Sequence, residues 1–252
     1  MIDSPFGLTG KTAVVTGGGR WLGRGITEAL LRAGADVVVF GRNPLPDSLV
    51  LLADLLGRKV SLSIVDLGDP EAIDVAARSL LAESSVDILV NNAGTQDRYP
   101  AVDFPLDAWD HVIAVNLRSV FQLCQMFARP MLERGEGKII NLASLLSFQG
   151  GLNVVAYAAS KGGVAQLTKA LCNEWSGRGV NVNAIAPGYM ETDMNTALLS
   201  DAARLEQLSV RIPAGRWGTP DDIGNVAVFL ASPAAAYVHG QIVCVDGGWM
   251  AR

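Results

Sequence analysis

The chain has 252 residues, half of them hydrophobic and 18% charged, with a formal net charge of −5. This composition supports a large buried core and excludes a disordered chain, and the acidic balance excludes a surface built to hold nucleic acid. No apolar run approaches the ~18 residues of a membrane span, and the opening MIDSPFGLTGK lacks the basic-then-apolar pattern of a signal peptide.

Three scattered cysteines, Cys124, Cys172 and Cys244, show no metal-ligand spacing. Each is flanked by apolar residues and reads as a small core residue, so no metal is expected and a reducing cytoplasm is the expected compartment.

Residues 12–16 (TAVVT) read as the first strand, and the glycine-rich TGGGRWLG follows it into a helical pattern over 22–33. A second strand at 36–40 leads through FGRN to a helix at 48–56. A strand at 60–65 precedes a helix at 70–82, with Asp69 as N-cap and Pro70 in the first turn. The strand at 87–91 is followed by a long helical pattern over 106–131, the strand at 138–144 by a helix over 156–175, and the strand at 180–186 by a strandless connection over 191–218. That connection carries its own helical patch and reads as a substrate lid or an edge-covering hairpin. A helix at 220–230, capped by Thr219, and a strand at 241–245 complete the chain. Continuous apolar strands alternating with helices predict an α/β fold: one Rossmann-type domain over 1–252, with a seven-stranded, doubly wound parallel sheet.

Strand, glycine turn and helix start in succession predict a phosphate cradle. Gly17 permits the tight turn, Gly23 lets helix and strand approach, and the helix N-terminus faces a pyrophosphate. Trp21 is unexpected there, because such loops usually want no side chain. After the second strand, a carboxylate would hold the 2′-hydroxyl of NAD. This chain has Arg42 instead, and Arg20 lies inside the turn. Two arginines near one expected phosphate favour NADP(H) over NAD(H); the bland alternative is two surface arginines.

Tyr157 and Lys161 are four residues apart and share a helix face. A phenol titrates near ~10 and needs help to work at neutral pH; a neighbouring ammonium is expected to lower that value. Ser144, at the carboxyl end of its strand, is placed to hold a carbonyl or alcohol beside the Tyr157 oxygen. No histidine stands near Ser144, against a Ser-His-Asp hydrolase.

Over nearly its full length the chain resembles the short-chain dehydrogenase/reductase family. The resemblance rests on residues 16–23, Asp66 in VDLGD, NNAG at 91–94, Asn116 in VNLRS, Ser144, YAASK at 157–161, PGYMET at 187–192 and VDGG at 245–248. It implies Tyr157 as general acid–base, Lys161 as its partner and ribose anchor, Ser144 orienting the carbonyl, and Asn116 anchoring a relay water. In the cofactor groove it implies Arg20 and Leu22 in the turn, Asp66 and Leu67 flanking the adenine, and Asn92, Ala93 and Gly94 along the wall. Pro187, Gly188, Met190 and Thr192 would hold the nicotinamide end. It also implies a homotetramer.

The stretches IINLASLLSFQGG, VNAIAPGYMET, RIPAGRWG and VDGGWMAR are similar to the branch acting on deoxy sugar acids of the 2-deoxy-D-gluconate or 2-dehydro-3-deoxy-D-gluconate type. Members of that branch usually use NAD, so Arg20 and Arg42 depart from it. A sugar acid needs a carboxylate partner, for which Arg98 is the first choice, with Arg216 and Trp217 behind it and Gln149 for a hydroxyl. The expected activity is NAD(P)-dependent hydride transfer at a secondary alcohol or ketone. The alternatives are reduction of another small ketone, such as a 3-oxoacyl thioester, or a catalytically silent dinucleotide sensor. No nucleic-acid or membrane partner is expected.

Overall fold

Runs of β-branched residues place the strands, and their burial explains why they do not alternate. Ala13, Val14 and Val15 are all fully buried, although successive side chains point to opposite faces. The structure is a computed structural model and describes residues 4–191 and 208–252.

β1 (Thr12–Thr16), β2 (Asp36–Gly41), β3 (Val60–Ile64), β4 (Ile88–Asn91), β5 (Gly137–Leu142), β6 (Val180–Pro187) and β7 (Ile242–Val245) form one sheet. Their order is β3-β2-β1-β4-β5-β6-β7, and every pairing is parallel. The helices are α1 (Trp21–Arg32), α2 (Asp47–Leu55), α3 (Pro70–Glu83), α4 (Leu106–Ile113), α5 (Ser119–Arg134), α6 (Val155–Trp175) and α7 (Pro220–Ala231). One face of the sheet packs Val15 and Val39 on Leu30 of α1, Leu49 of α2 and Ile223 of α7. The other packs Val14 and Leu89 on Ile73 of α3, Phe127 of α5 and Val164 of α6. This is the doubly wound arrangement read from the sequence.

Caps fix the helix starts. The Asp69 carboxylate accepts from the N–H groups of Glu71 (2.9 Å) and Ala72 (3.2 Å), ahead of Pro70. Asp222 accepts from the N–H (2.8 Å) and the hydroxyl (3.1 Å) of Thr219 at the start of α7.

Two expectations need correction. The single helix over 106–131 is α4 and α5 joined through a π turn at Ala114–Arg118. The wider turn surrounds the fully buried Asn116, whose side chain bonds outside the helix; such bulges interrupt helices at functional positions. Of the three cysteines expected in the core, Cys124 is buried, Cys172 is partly covered and Cys244 is exposed, because β7 is the last strand of the sheet.

Most of the proposed lid, including Thr192, lies outside the described residues. Its flanks are tied together: the Glu191 N–H donates to the Gly218 carbonyl (2.9 Å) and the Gly218 N–H to the Tyr189 carbonyl (2.9 Å). The strand order reverses between β1 and β4, which opens a crevice at the carboxyl ends of the strands.

Candidate active site

A cavity of about 850 Å³ occupies that crevice, within the range of ligand pockets. Its wall begins at the glycine turn. Gly17 has φ +65°, and its N–H donates to the Phe40 carbonyl (2.8 Å). A Cβ at Gly23 would strike the Gly17 carbonyl oxygen and would lie 2.5 Å from Asn92 Nδ2, so only glycine fits at the start of α1.

Thr16 ties this turn to the loop after β4. Its hydroxyl accepts from the N–H groups of Asn92 and Ala93, each at 2.9 Å, and its carbonyl from Asn92 Nδ2 at 2.9 Å. No side chain caps α1 at Arg20, so the helix start, with Leu22, is open to an anion. Trp21 stands at φ +49°, in the left-handed region. The Arg20 guanidinium lies 4.1 Å from the centre of its ring.

Arg42 reaches the cavity, but not as an unpaired cation. It meets Asp66 at 3.4 Å, and both side chains are half or more exposed. Asp66 also accepts from the Gly68 N–H (2.8 Å). Leu67, Asn92, Ala93 and Gly94 line the wall between these turns and the chemistry, and Pro187, Gly188 and Met190 line the far side.

Ser144, Tyr157 and Lys161 converge on the cavity. The Ser144 hydroxyl acts on the Tyr157 hydroxyl, lowering its pKa, and accepts from the Leu146 N–H at 3.1 Å. Lys161 is buried, its Nζ 2.5 Å from the Leu142 carbonyl oxygen it donates to and 5.7 Å from the centre of the Tyr157 ring. Burial pushes the ammonium down to about 8. Burial also raises the Tyr157 phenol above its usual value, and the Ser144 hydrogen bond only partly offsets this. The phenol is therefore raised rather than lowered as expected, and the group that acts to lower it is the Ser144 hydroxyl.

Asn116 is buried behind this group rather than on the cavity wall. Its Oδ1 accepts from the Thr95 N–H (2.8 Å), and its Nδ2 donates to the Thr95 carbonyl (2.8 Å) and the Ser160 hydroxyl (3.1 Å). A Cβ at Gly94 would lie 3.4 Å from Asn116 Oδ1 and 3.8 Å from Lys161 Nζ, so Gly94 sits between the two.

Arg98 and Gln149 line the substrate end. With its amide oriented to satisfy both atoms, Gln96 accepts from Arg98 Nε and Nη2, each at 2.9 Å. Arg216 and Trp217 do not line this cavity. Arg216 forms a two-point pair with Asp222 (2.7 and 2.9 Å), and Trp217 is buried and donates to the Ser209 hydroxyl (3.1 Å). Both therefore have structural employment, which corrects their reading as substrate groups.

The site thus joins an anion-ready turn to a desolvated hydroxyl–phenol–ammonium cluster. A family model described as enoyl-(acyl carrier protein) reductase matches residues 19–250. The 2-dehydro-3-deoxy-D-gluconate 5-dehydrogenase of Bacillus subtilis (strain 168) is 51% identical over 251 residues, covering 100% of this chain and 99% of that protein. The chain belongs to the short-chain dehydrogenase/reductase family.

Another member named 2-dehydro-3-deoxy-D-gluconate 5-dehydrogenase, from Escherichia coli (strain K12), is 46% identical over 255 residues, with 100% of both chains covered. A crystal structure of a gluconate 5-dehydrogenase from Burkholderia cenocepacia J2315, in complex with NADP and tartrate, matches with a TM-score of 0.91 at 40% identity and 98% coverage of each chain.

In this short-chain dehydrogenase the sequence reading passed over several supporting residues. The Ser147 hydroxyl bonds the Ser144 N–H (3.3 Å) and the Lys161 carbonyl (2.7 Å), so one side chain ties β5 to α6. The Ser160 hydroxyl donates to the Tyr157 carbonyl (2.7 Å). The YAASK spacing contained Ser160, but nothing local marked Ser147. Tyr189, Arg211 and Trp249 also line the cavity, brought there from separate parts of the chain.

Proposed function

We propose that this dehydrogenase transfers hydride reversibly between NADP(H) and a secondary alcohol or ketone carbon of a deoxy sugar acid of the 2-dehydro-3-deoxy-D-gluconate type. The observation that carries the reading is the cluster of Ser144, Tyr157 and Lys161 in the cavity wall. The names of the most similar relatives favour the substrate class.

The residues fit the cofactor. Gly17 and Gly23 leave a cradle that side chains would fill, and Arg20 and Arg42 stand at the end suited to a 2′-phosphate. The exposed Arg42–Asp66 contact is weak enough to exchange for a phosphate. Asp66 and Leu67 would flank the adenine, Asn92 to Gly94 the ribose side, and Pro187, Gly188, Met190 and Thr192 the nicotinamide end. The bound cofactor supplies or accepts the hydride.

The rest falls to the chain. Ser144 holds the substrate oxygen against the Tyr157 hydroxyl, which gives a proton to a developing alkoxide or takes one from an alcohol. Lys161, charged over most of the neutral range, stabilises the phenolate form. Asn116 holds the Thr95 backbone and Ser160 and orders the relay behind Lys161. Arg98, steadied by Gln96, binds the carboxylate, and Gln149 binds a hydroxyl. A homotetramer in the cytoplasm is part of the same proposal. Phe121 on α5, Tyr237 and the outer edge of β7 are exposed surfaces it would cover.

Tyr157→Phe is the test. The expected result is loss of turnover with 2-dehydro-3-deoxy-D-gluconate by at least about 10³-fold, with NADPH affinity in a fluorescence titration nearly unchanged. Turnover retained in that variant removes Tyr157 from the chemistry. Arg42→Asp is expected to move the NADP/NAD ratio of kcat/KM toward NAD by about tenfold or more; an unchanged ratio takes Arg42 out of the cofactor site.

A further inference from the structure

The cavity carries a charge opposite to that of the chain. Among the described residues that line it stand four arginines and Lys161, against one carboxylate, Asp66, and that carboxylate already meets Arg42. Arg20 and Arg42 come from the first two βα turns. Arg98 and Arg211 come from elsewhere, the loop after β4 and the segment before α7, and share the wall with Ser144 and Tyr157. No carboxylate among the described residues pairs with either.

Arg211 is held in an unusual way. Its guanidinium carbon lies 4.1 Å from the centre of the Trp249 ring. Trp249 is buried and packs on Tyr189, with ring centres 4.7 Å apart. The turn that presents it is fixed by Asp246, whose carboxylate accepts from the N–H groups of Gly248 and Met250, both at 2.9 Å. Gly248 has φ +91°. A guanidinium packed against an indole keeps its in-plane N–H edge for a carboxylate, a planar partner that matches it at two points. The C-terminal turn therefore works as a rigid platform beneath a cation in the cavity wall.

We propose that Arg211, seated on Trp249, is a specificity-determining residue that binds the carboxylate of the substrate opposite Arg98. This rests on the sugar-acid reading and deepens it. One guanidinium tolerates any anion, whereas two from separate elements fix where the carboxylate lies relative to the Tyr157 hydroxyl, and so which carbon reacts. Trp249 is then a positioning residue.

The experiment compares the wild type with Arg211→Gln and Arg211→Lys, using 2-dehydro-3-deoxy-D-gluconate and its methyl ester, in which the carboxylate is capped. In Arg211→Gln, KM for the acid is expected to rise about tenfold or more, with kcat within about threefold, KM for the ester unmoved and the Kd for NADPH within about twofold. Arg211→Lys, which keeps the charge but loses the planar stack, is expected to recover part of the affinity for the acid.

An acid KM within twofold of wild type in Arg211→Gln overturns the inference and leaves the sugar-acid reading standing. An equal loss on the ester, or a loss of NADPH binding, also overturns it, because Arg211 would then serve the fold or the cofactor. A wild-type enzyme that ignores the acid, or has the same kcat/KM for the ester as for the acid, overturns the sugar-acid reading and this inference with it.

Discussion

Trp21 shows at the scale of one residue how a site tolerates a departure from its pattern. A side chain in the left-handed region costs about 1–2 kcal/mol, and Trp21 bears it at φ +49°. Among what offsets this are the contact with Arg20, worth about 0.5–1 kcal/mol for an arginine on an aromatic face, and the indole area removed from water, on the same scale as the strain. Trp21→Gly is therefore expected to change unfolding stability by less than about 1 kcal/mol in urea titration. The same change frees Arg20, so the preference for NADP over NAD is expected to fall several-fold in kcat/KM. A stability loss above 2 kcal/mol would mean that the indole is a core residue. A large gain in cofactor affinity would mean that it obstructs the phosphate seat. The sequence could mark Trp21 as odd, since the oddity is local, but not its φ or its partner. Tyr157 and Lys161 were legible for a related reason: a helix repeats every 3.6 residues, so their spacing alone puts them on one face. Arg211 and Trp249 were not, because only the closed fold brings the C-terminal turn to the cavity.

At the scale of elements, the strands and most helices were legible because burial on both faces and proline or aspartate at helix starts leave local marks. The π turn at Ala114–Arg118 left none. One extra residue in a turn barely disturbs an apolar pattern, and 106–131 reads as a single helix. The contact between α1 and α7 was also hidden. It depends on two glycines far apart in sequence: a Cβ at Gly224 would lie 2.7 Å from the Gly25 carbonyl oxygen and 2.9 Å from the Ala29 Cβ. The obstruction includes backbone, which cannot swing aside. Gly224→Ala is therefore expected to push the helices apart and cost about 1–3 kcal/mol, seen as a lower urea midpoint. Because α1 begins at the glycine turn, NADPH affinity should fall in parallel. An unchanged midpoint would show that the pair closes with room to spare.

At the scale of the whole molecule, the sheet order places the crevice and the crevice buries an amine. The reversal between β1 and β4 gathers the glycine turn, the β4 loop and the start of α6 around one cavity, and Lys161 is enclosed as a result. That enclosure links catalysis to global stability. Burial lowers the folded-state value for Lys161 to about 8, against ~10.4 in an unfolded chain. Between those values the unfolded chain holds more protons than the folded one, so the Lys161 contribution to stability rises with pH across the window and is flat below it. The slope is at most about 1.4 kcal/mol per pH unit. Lys161→Met removes the titration and leaves the other groups to cancel in the difference between the two proteins. Urea unfolding of wild type and variant at pH 7, 8, 9 and 10 should give a stability difference that is steady up to about pH 8 and then moves in favour of the wild type. The lost bond to the Leu142 carbonyl shifts that difference by a constant and does not alter its slope. A difference that stays flat to pH 10 would mean that Lys161 keeps its proton inside the fold and titrates like an ordinary lysine.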